Sequence, residues 1–408
     1  MKNYLKYFLC GVVLLTQNLA YSASLSDKTK DFITNYSADH TLNAVYMMTE
    51  DGKTITSAAN GFYAIEKQKR LKANQLMPVA SGTKPITAAA VLRLQDKGLL
   101  NVHYTVAKLL PASSGMWPDN KLPKWAHKMT LHHLMTHTSG LAEYIPTLQV
   151  DFTKTHKEIN QQILGFSAQQ NLKFSPGDGH EYNNTGFIIL GIIIEHVAKE
   201  NLVDFYYNEF FKPLGMKDTF LCALDQGLKY QRGELNHTYP HRYFVIPTGA
   251  DPKFVPAKIP FLIAPFSDGG MLSTAKDMVK WHNALHNGKI LSENSYRQMT
   301  TAYGKAESKD GLDTHYGYGL FIKKLPDGQT LYGHAGNAIA IRSEFGYVLE
   351  SKYCFAILSN IMVHVPEEMK DKIDFTQPQN QLDIAFFRNG LLKAIAKDPI
   401  CDCANNQK

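Results

Sequence analysis

Strand-like stretches sit at the two ends of this chain, and helix-like ones fill its middle. Residues 42–49 and 54–63 read as two strands about Glu50-Asp51-Gly52, an acidic-glycine turn between apolar runs. The last third returns to strands at 318–324, 329–333, 338–349 and 352–358, and a helix over about 380–396 closes it. Between them, from about 100 to 235, lie helices and loops, among them the strongly apolar "TGFIILGIIIEHVAKE". Residues 236–268 carry six prolines and read as a long irregular connection, and "STAKDMVKWHNALHNG" returns to helix. This order predicts an α/β fold: one antiparallel sheet flanked by helices and built from both chain ends, with a mainly helical subdomain inserted at about 100–235.

A chain of 408 residues with 44% hydrophobic and 20% charged residues has enough apolar surface for a large core. The net charge of +6 includes Lys2 and Lys6, and no basic block follows, which argues against nucleic acid as a partner. Lys2 and Lys6 flank the start of an apolar run, Tyr7 to Leu15, and Ala20-Tyr21-Ser22 supplies small residues for cleavage. Residues 1–22 are therefore expected to be a signal peptide, 25–398 the folded domain, and 399–408 a polar tail. The mature chain is expected to be periplasmic or secreted, with no stable membrane span, since no other segment nears about 18 apolar residues. Export permits disulfides among Cys222, Cys354, Cys401 and Cys403, but spacing does not choose a pairing. Nothing in the sequence sets an oligomeric state.

Three short patterns carry chemistry, and each has decoys. Ser-x-x-Lys occurs at Ser81/Lys84 and Ser273/Lys276. On a helix the two residues share a face, so the amine can reach the hydroxyl and act as its base. Thr274 with Asp277 makes a capping box, which explains the second copy structurally. Apolar and small neighbours (Val79, Ala80, Ile86, Ala89 and Ala90) surround the first copy, and burial there favours the uncharged amine. Pro85 suits a first helical turn, yet it disfavours helical geometry at Lys84. Tyr-x-Asn occurs at Tyr182-Asn184, in a loop before a helix, and at Tyr206-Asn208, inside an amphipathic helix. His-x-Gly occurs at His286, His315 and His334. His286 and Gly288 fit a helix end, whereas His334-Ala335-Gly336 closes the short strand "TLYGHAG". His133 and His137 are four apart but lack an acidic partner, so they read as packing and turn residues, and no metal or cofactor is expected.

In the order Ser81-x-x-Lys84, Tyr182-x-Asn184, His334-x-Gly336, the chain resembles the serine β-lactamase and penicillin-binding-protein superfamily. The nearest branch holds class C β-lactamases, D-alanyl-D-alanine carboxypeptidases, D-aminopeptidases and esterases. "LMTHTSGL", "SPGDGHEYNNTGFIILGIIIEHV", "KPLGM", "GGMLSTAKDM" and "YGYGL" belong to the same resemblance, which spans about 30 to 395. It implies a site between sheet and helical parts. There Ser81 is the nucleophile, Lys84 its base, and Tyr182 the proton shuttle of an acyl transfer. Asn184 holds the substrate amide and Lys84, His334 and Gly336 line the pocket, and the N–H groups of Ser81 and Asn337 form the oxyanion hole.

The function so implied is that of a serine hydrolase acting through an acyl-enzyme on D-alanyl peptides or related amides, its partner a small molecule or a peptidoglycan-derived peptide. A β-lactamase, a carboxylesterase and a penicillin-recognising binding module are the alternatives. His-Ala-Gly stands where many β-lactamases carry Lys-Thr-Gly, which removes a permanent cation and a hydroxyl. A histidine is mostly neutral at pH 7, so both changes weaken the case for a β-lactamase, and Arg342 is the candidate for the lost positive charge, unless it faces solvent. Ala338 to Ala340 stand where relatives often carry glycine.

Overall fold

The Asp51-Gly52 turn forms as its sequence demands. Both residues take positive φ, 46° and 75°, the handedness a two-residue hairpin loop requires. It joins β1 (Ala44–Glu50) to β2 (Lys53–Asn60). The computed structural model describes residues 24–40, 42–222, 240–247, 252–257, 266–308, 310–374 and 383–396, with 377, 379 and 381 between. The expected signal peptide, polar tail, Cys401 and Cys403 lie outside these residues.

A first helix, α1 (Leu25–Asp39), precedes β1 and has no counterpart in the sequence reading. After β2 come the short pair β3 (Phe62–Ala64) and β4 (Lys69–Arg70), then β5 (Met77–Pro78), which leads into α2 (Lys84–Asp96). The middle holds α3 (His156–Gln169) and α4 (Asn184–Ala198), and then β6 (Phe220–Leu221). From Thr185 to Ile194 every residue of α4 is buried, so this helix is a core spine rather than an amphipathic surface helix.

The proline-rich connection is not wholly irregular. It contains β7 (Tyr243–Ile246) and β8 (Lys253–Pro256), an antiparallel pair. Further on are β9 (Met271–Ser273), α5 (Ala275–His286), β10 (Gly304–Lys305), β11 (Asp313–Tyr316) and β12 (Phe321–Lys324). The chain closes with β13 (Thr330–Ala338), β14 (Ile341–Val348), β15 (Tyr353–Ser359), β16 (Ile361–Val363) and α6 (Ile384–Ile395). Strand β16 pairs parallel to β7, so the proline-rich segment is tied to the end of the main sheet.

The main sheet runs β10-β11-β12-β13-β14-β15-β1-β2. Its centre joins the chain ends: β1 pairs antiparallel to β15, with Val45 opposite Leu358. One face packs on α5, with α2 and α4 in the same apolar cluster, and the other on α1 and α6, where Phe32 and Phe387 meet at 5.4 Å. Covering both faces explains why β1 is buried almost throughout rather than alternating. Among the described residues no helix is long and apolar enough to cross a membrane.

One strand differs from expectation in a way that matters. The sequence reading places strands at 329–333 and 338–349 while carrying the short strand "TLYGHAG" to Gly336; β13 runs unbroken from Thr330 to Ala338. Its partner β12 stops sooner, at the Phe321–Gly333 pair, while β14 follows β13 to Ala338. Residues 334–338 thus have strand neighbours on one side alone among the described residues, and their other edge is free to pair. The β13–β14 turn is completed by Ala340 at φ 54°, so alanine takes the left-handed position there.

Candidate active site

Ser81 stands on a 3₁₀ turn, Ala80–Thr83, rather than inside a helix. The turn is pinned on three sides. Val79 N–H donates to Met271 O (3.0 Å), Gly82 N–H and Ser343 Oγ donate to Val79 O (3.0 and 2.8 Å), and Thr83 Oγ1 donates to Ala80 O (2.8 Å). These bonds hold Ala80 at φ 47°, a conformation a non-glycine residue leaves when unrestrained. The strain lies at Ala80 and not at Lys84, which is helical (φ −56°, ψ −42°) despite the proline after it.

Lys84 is fully buried. Its Nζ lies 3.0 Å from Ser81 Oγ, 2.7 Å from Asn184 Oδ1 and 2.7 Å from Asp268 O. The rings of Tyr182 and Phe187 lie 5.0 and 5.5 Å from it. Asn184 opens α4, and its orientation is fixed from behind. Its backbone N–H and Nδ2 both donate to Glu143 Oε2 (2.6 and 3.2 Å), which turns Oδ1 toward the lysine.

Tyr182 precedes that helix and brings its hydroxyl into the same space, buried and without a partner among the described residues. Its ring packs at 4.3 Å on His137, a fully buried histidine at φ 59°. His137 Nδ1 accepts from Asn183 N–H (3.1 Å). Burial and the Lys84 charge hold it well below the usual imidazole range, so it packs as a neutral ring.

His334 and Gly336 face this group from β13. Gly336 is there because nothing larger fits: a Cβ would come within 2.1 Å of Val79 O and 2.2 Å of Ser343 Oγ. His334 Nδ1 meets its neighbour's carbonyl, Ala335 O, at 2.6 Å, so Nδ1 carries the proton and Nε2 accepts from the Tyr316 hydroxyl (3.0 Å). Burial, then the Lys84 charge, push His334 down to about 3. The sequence reading of His334 as a mostly neutral histidine agrees with this: burial disfavours the charged ring, and both its nitrogens are engaged.

The expectation for Arg342 is corrected. It lies opposite Asn337, on the sheet face away from Gly336, and pairs with Asp383 (3.2 Å) and Glu344 (3.7 Å). The side chain of Asn337 is exposed and lines a cavity of about 780 Å³ that also takes in Ser81, Tyr182 and His334.

Residues 29–375 match the model of a protein family described as Beta-lactamase. The chain belongs to that beta-lactamase family. Penicillin-binding protein 4* of Bacillus subtilis (strain 168) is 26% identical over 306 residues, which is 73% of this chain. This chain spans 63% of that relative's own length. Among solved structures, the D-amino acid amidase of Ochrobactrum anthropi SV3 (with L-phenylalanine amide) superposes at a TM-score of 0.70. The identity is 23%, over 91% of this chain and 99% of the other. The octameric penicillin-binding protein homologue of Pyrococcus abyssi gives 0.66 at 24% identity, over 82% and 73%. These two share the fold.

Within this beta-lactamase-family fold the decoy motifs have other duties. Tyr206 is fully buried and bonds Thr87 Oγ1 at 2.6 Å, His286 Nδ1 lies 2.9 Å from the Tyr296 hydroxyl, and His315 Nε2 lies 3.4 Å from Asp313. His133 closes a capping box with Thr130. The capping box read at Thr274 is only half formed. Thr274 Oγ1 accepts from Asp277 N–H, but the Asp277 carboxylate turns to Asp218 N–H, Thr219 and Lys280.

Sequence reasoning missed Glu143, Asp268, Tyr316 and the place of His137. Two of them had left a signal: His137 inside "LMTHTSGL" and Tyr316 at the head of "YGYGL". Asp268 is buried, with Oδ2 accepting from the Tyr144 hydroxyl (3.1 Å), and burial raises its carboxyl to about 6 against the pull of Lys84. Cys354 is a buried free thiol, which burial pushes upward in pKa.

Proposed function

We propose that this chain is an exported serine hydrolase of the β-lactamase/DD-peptidase type, forming an acyl-enzyme on Ser81 with D-alanyl peptides or related amides. The observation that carries this reading is the three-way setting of Lys84. An unprotonated amine has two N–H bonds and one lone pair. Asn184 Oδ1 and Asp268 O can only accept, so they take the two N–H bonds. In that form the lone pair is left for the third neighbour, the hydroxyl of Ser81 at 3.0 Å, to which the charged amine instead donates. That is the geometry of a base poised on a nucleophile.

In the proposed reaction Ser81 Oγ attacks the carbonyl as its proton passes to Lys84 Nζ. The oxyanion sits on the N–H groups of Ser81 and Asn337. The Tyr182 hydroxyl hands a proton to the leaving amine, and water then releases the acyl group by the reverse relay. The free edge of β13 at 334–338 offers backbone pairing to an extended substrate, and Gly336 keeps it close to the Ser81 turn. Export rests on Lys2, Lys6, the apolar Tyr7–Leu15 and Ala20-Tyr21-Ser22.

The neutral state of His334 refines the substrate class. With no cation of its own at this strand, the site favours amide or ester leaving groups over those ending in a carboxylate. A hydrolysis panel tests this: nitrocefin, a D-Ala-D-Ala peptide, a D-amino-acid amide and a short acyl ester. The amide and the ester are expected to have the higher kcat/KM. Nitrocefin as the best substrate would contradict the reading.

A further inference from the structure

Asp268 gives Lys84 its backbone carbonyl, at 2.7 Å, and the same residue carries a carboxyl that the proposed reaction leaves without a task. Asp268 is only 5% exposed. Its Oδ2 accepts from the Tyr144 hydroxyl at 3.1 Å, while Oδ1 is shielded from solvent and has no hydrogen-bond partner among the described residues. A carboxylate so placed is costly unless a nearby charge offsets it.

Among the described residues four titratable groups face it. Lys84 comes from α2, Glu143 and Tyr144 from one loop, and Tyr206 from the short helix Leu202–Tyr206. The Glu143 carboxylate is taken up by the backbone N–H groups of Asn184 and Ile145 and by the Asn184 amide. Burial raises the Tyr144 and Tyr206 phenols, so both stay neutral. Of the four, Lys84 alone can carry a positive charge. Burial lifts the Asp268 carboxyl to about 6, against the pull of Lys84 and of the Tyr144 bond and with the push of Glu143. Asp268 is therefore ionised at pH 7 and neutral by pH 5.

We propose that the Asp268 carboxylate acts through Lys84, offsetting the positive charge that forms on the amine as it takes the Ser81 proton. The inference rests on the reading of Ser81 as nucleophile and Lys84 as its base. Asp268 is bonded to Lys84 and not to Ser81, which makes it a positioning residue. Its carbonyl fixes where the amine sits, and its carboxylate faces the charge that develops there. The Ser81 O–H bond breaks and an N–H bond forms on Lys84, while Asp268 neither gains nor loses a proton during the cycle. Opposite charges attract more strongly in a buried site than in water. Proton transfer to Lys84 is therefore easier with Asp268 ionised than with it protonated, and turnover rises with pH through about 6.

The test is kcat/KM against pH for a short nitrophenyl ester, in the wild type, Asp268→Asn and Tyr144→Phe. Asparagine keeps the shape and still accepts from the Tyr144 hydroxyl, but carries no charge. The wild type is expected to exceed Asp268→Asn about tenfold at pH 8, and the two to converge at pH 5. Tyr144→Phe removes a hydrogen bond to the carboxylate, so its acid limb is expected to move to higher pH. A side chain that only filled space would give the same loss at every pH. A constant ratio between wild type and Asp268→Asn, faster turnover in Asp268→Asn, or an unmoved limb in Tyr144→Phe would each overturn the proposal. Infrared difference spectra between pH 8 and pH 5 read the carboxyl without turnover. A protonated-carboxyl band that disappears in Asp268→Asn is expected, and an unchanged spectrum in that variant would overturn the proposal. Fluorophosphonate labelling keeps the two readings apart. Ser81 labelled with the same pH dependence in wild type and Asp268→Asn sinks this inference alone. Ser81 unlabelled on folded protein sinks the acyl-enzyme reading, and this inference with it.

Discussion

The two Ser-x-x-Lys copies are neighbours in space. Strand β5, which leads to Ser81, pairs with β9, and Met77 lies opposite Ser273. Yet their lysines face opposite ways. Lys84 is fully buried with three oxygen partners, whereas Lys276 is exposed in the first turn of α5. Ser273 is buried between Thr219 Oγ1 (2.7 Å) and Thr274 O (3.3 Å), and among the described residues no lysine bonds to it. The second copy serves the first. Its strand accepts the Val79 N–H through Met271 O and donates the Met271 N–H to Thr83 Oγ1, bracing the turn that bears Ser81. A three-residue spacing thus sets reach, and what surrounds the lysine sets chemistry.

The sharpest way to break this contrast is to remove each hydroxyl. Ser81→Ala is expected to lower kcat by about 10⁴ or more, as loss of a nucleophile does. Ser273→Ala is expected to keep ester turnover within about twofold and to lose about 1 kcal/mol of stability in urea unfolding, the worth of one buried hydrogen bond. Equal activity losses would erase the distinction.

Gly336→Ala probes the strand that faces only the first copy. The added methyl meets Val79 O at 2.1 Å and Ser343 Oγ at 2.2 Å, so β13 must withdraw from the Ser81 turn. A fall of about 100-fold in kcat/KM is expected, since misplacement of the order of 1 Å costs that much. Wild-type kinetics in this variant would show that β13 does not position the site.

The smallest effect expected is on stability against pH. His334 and His282 are each held neutral in the fold, down to about 3, chiefly by burial. The unfolded chain takes up their protons near pH 6.5, so this stability is complete above that value and is lost as pH falls toward 3. Each imidazole is expected to cost about 2 kcal/mol by pH 5. Equilibrium unfolding at pH 7 and pH 5 measures it, and His334→Asn should remove its share of the drop. An unfolding free energy that stays flat between these values would show that the rings take up protons in the fold as they do in the unfolded chain.

The fold was largely legible because its signals are local. The Asp-Gly turn, the strand-rich ends and the apolar helix of residues 184–198 each declare themselves within a few residues. The site was legible as an ordered set of motifs, since Ser81, Lys84 and Asn184 are bonded together and Tyr182 and His334 adjoin them. What escaped depends on three-dimensional context. Parity along β14 decides that Arg342 faces away from Ser81, and reading 338–349 as one strand, across the turn at Ile339-Ala340, hid that parity. The protonation of His334 depends on burial and on Tyr316, eighteen residues earlier in the chain. Asp268 contributes to Lys84 through its carbonyl, which carries no signature of side-chain type. Helix α1 has few apolar residues of its own and is recognisable mainly by what it covers.

The most direct measurement is the position of covalent attachment. The protein is reacted with a fluorophosphonate, digested, and its peptides are read by mass spectrometry. The account expects a single adduct on Ser81, absent from Ser81→Ala and undiminished in Ser273→Ala. An adduct on Ser273, or none at all on folded protein, would contradict it.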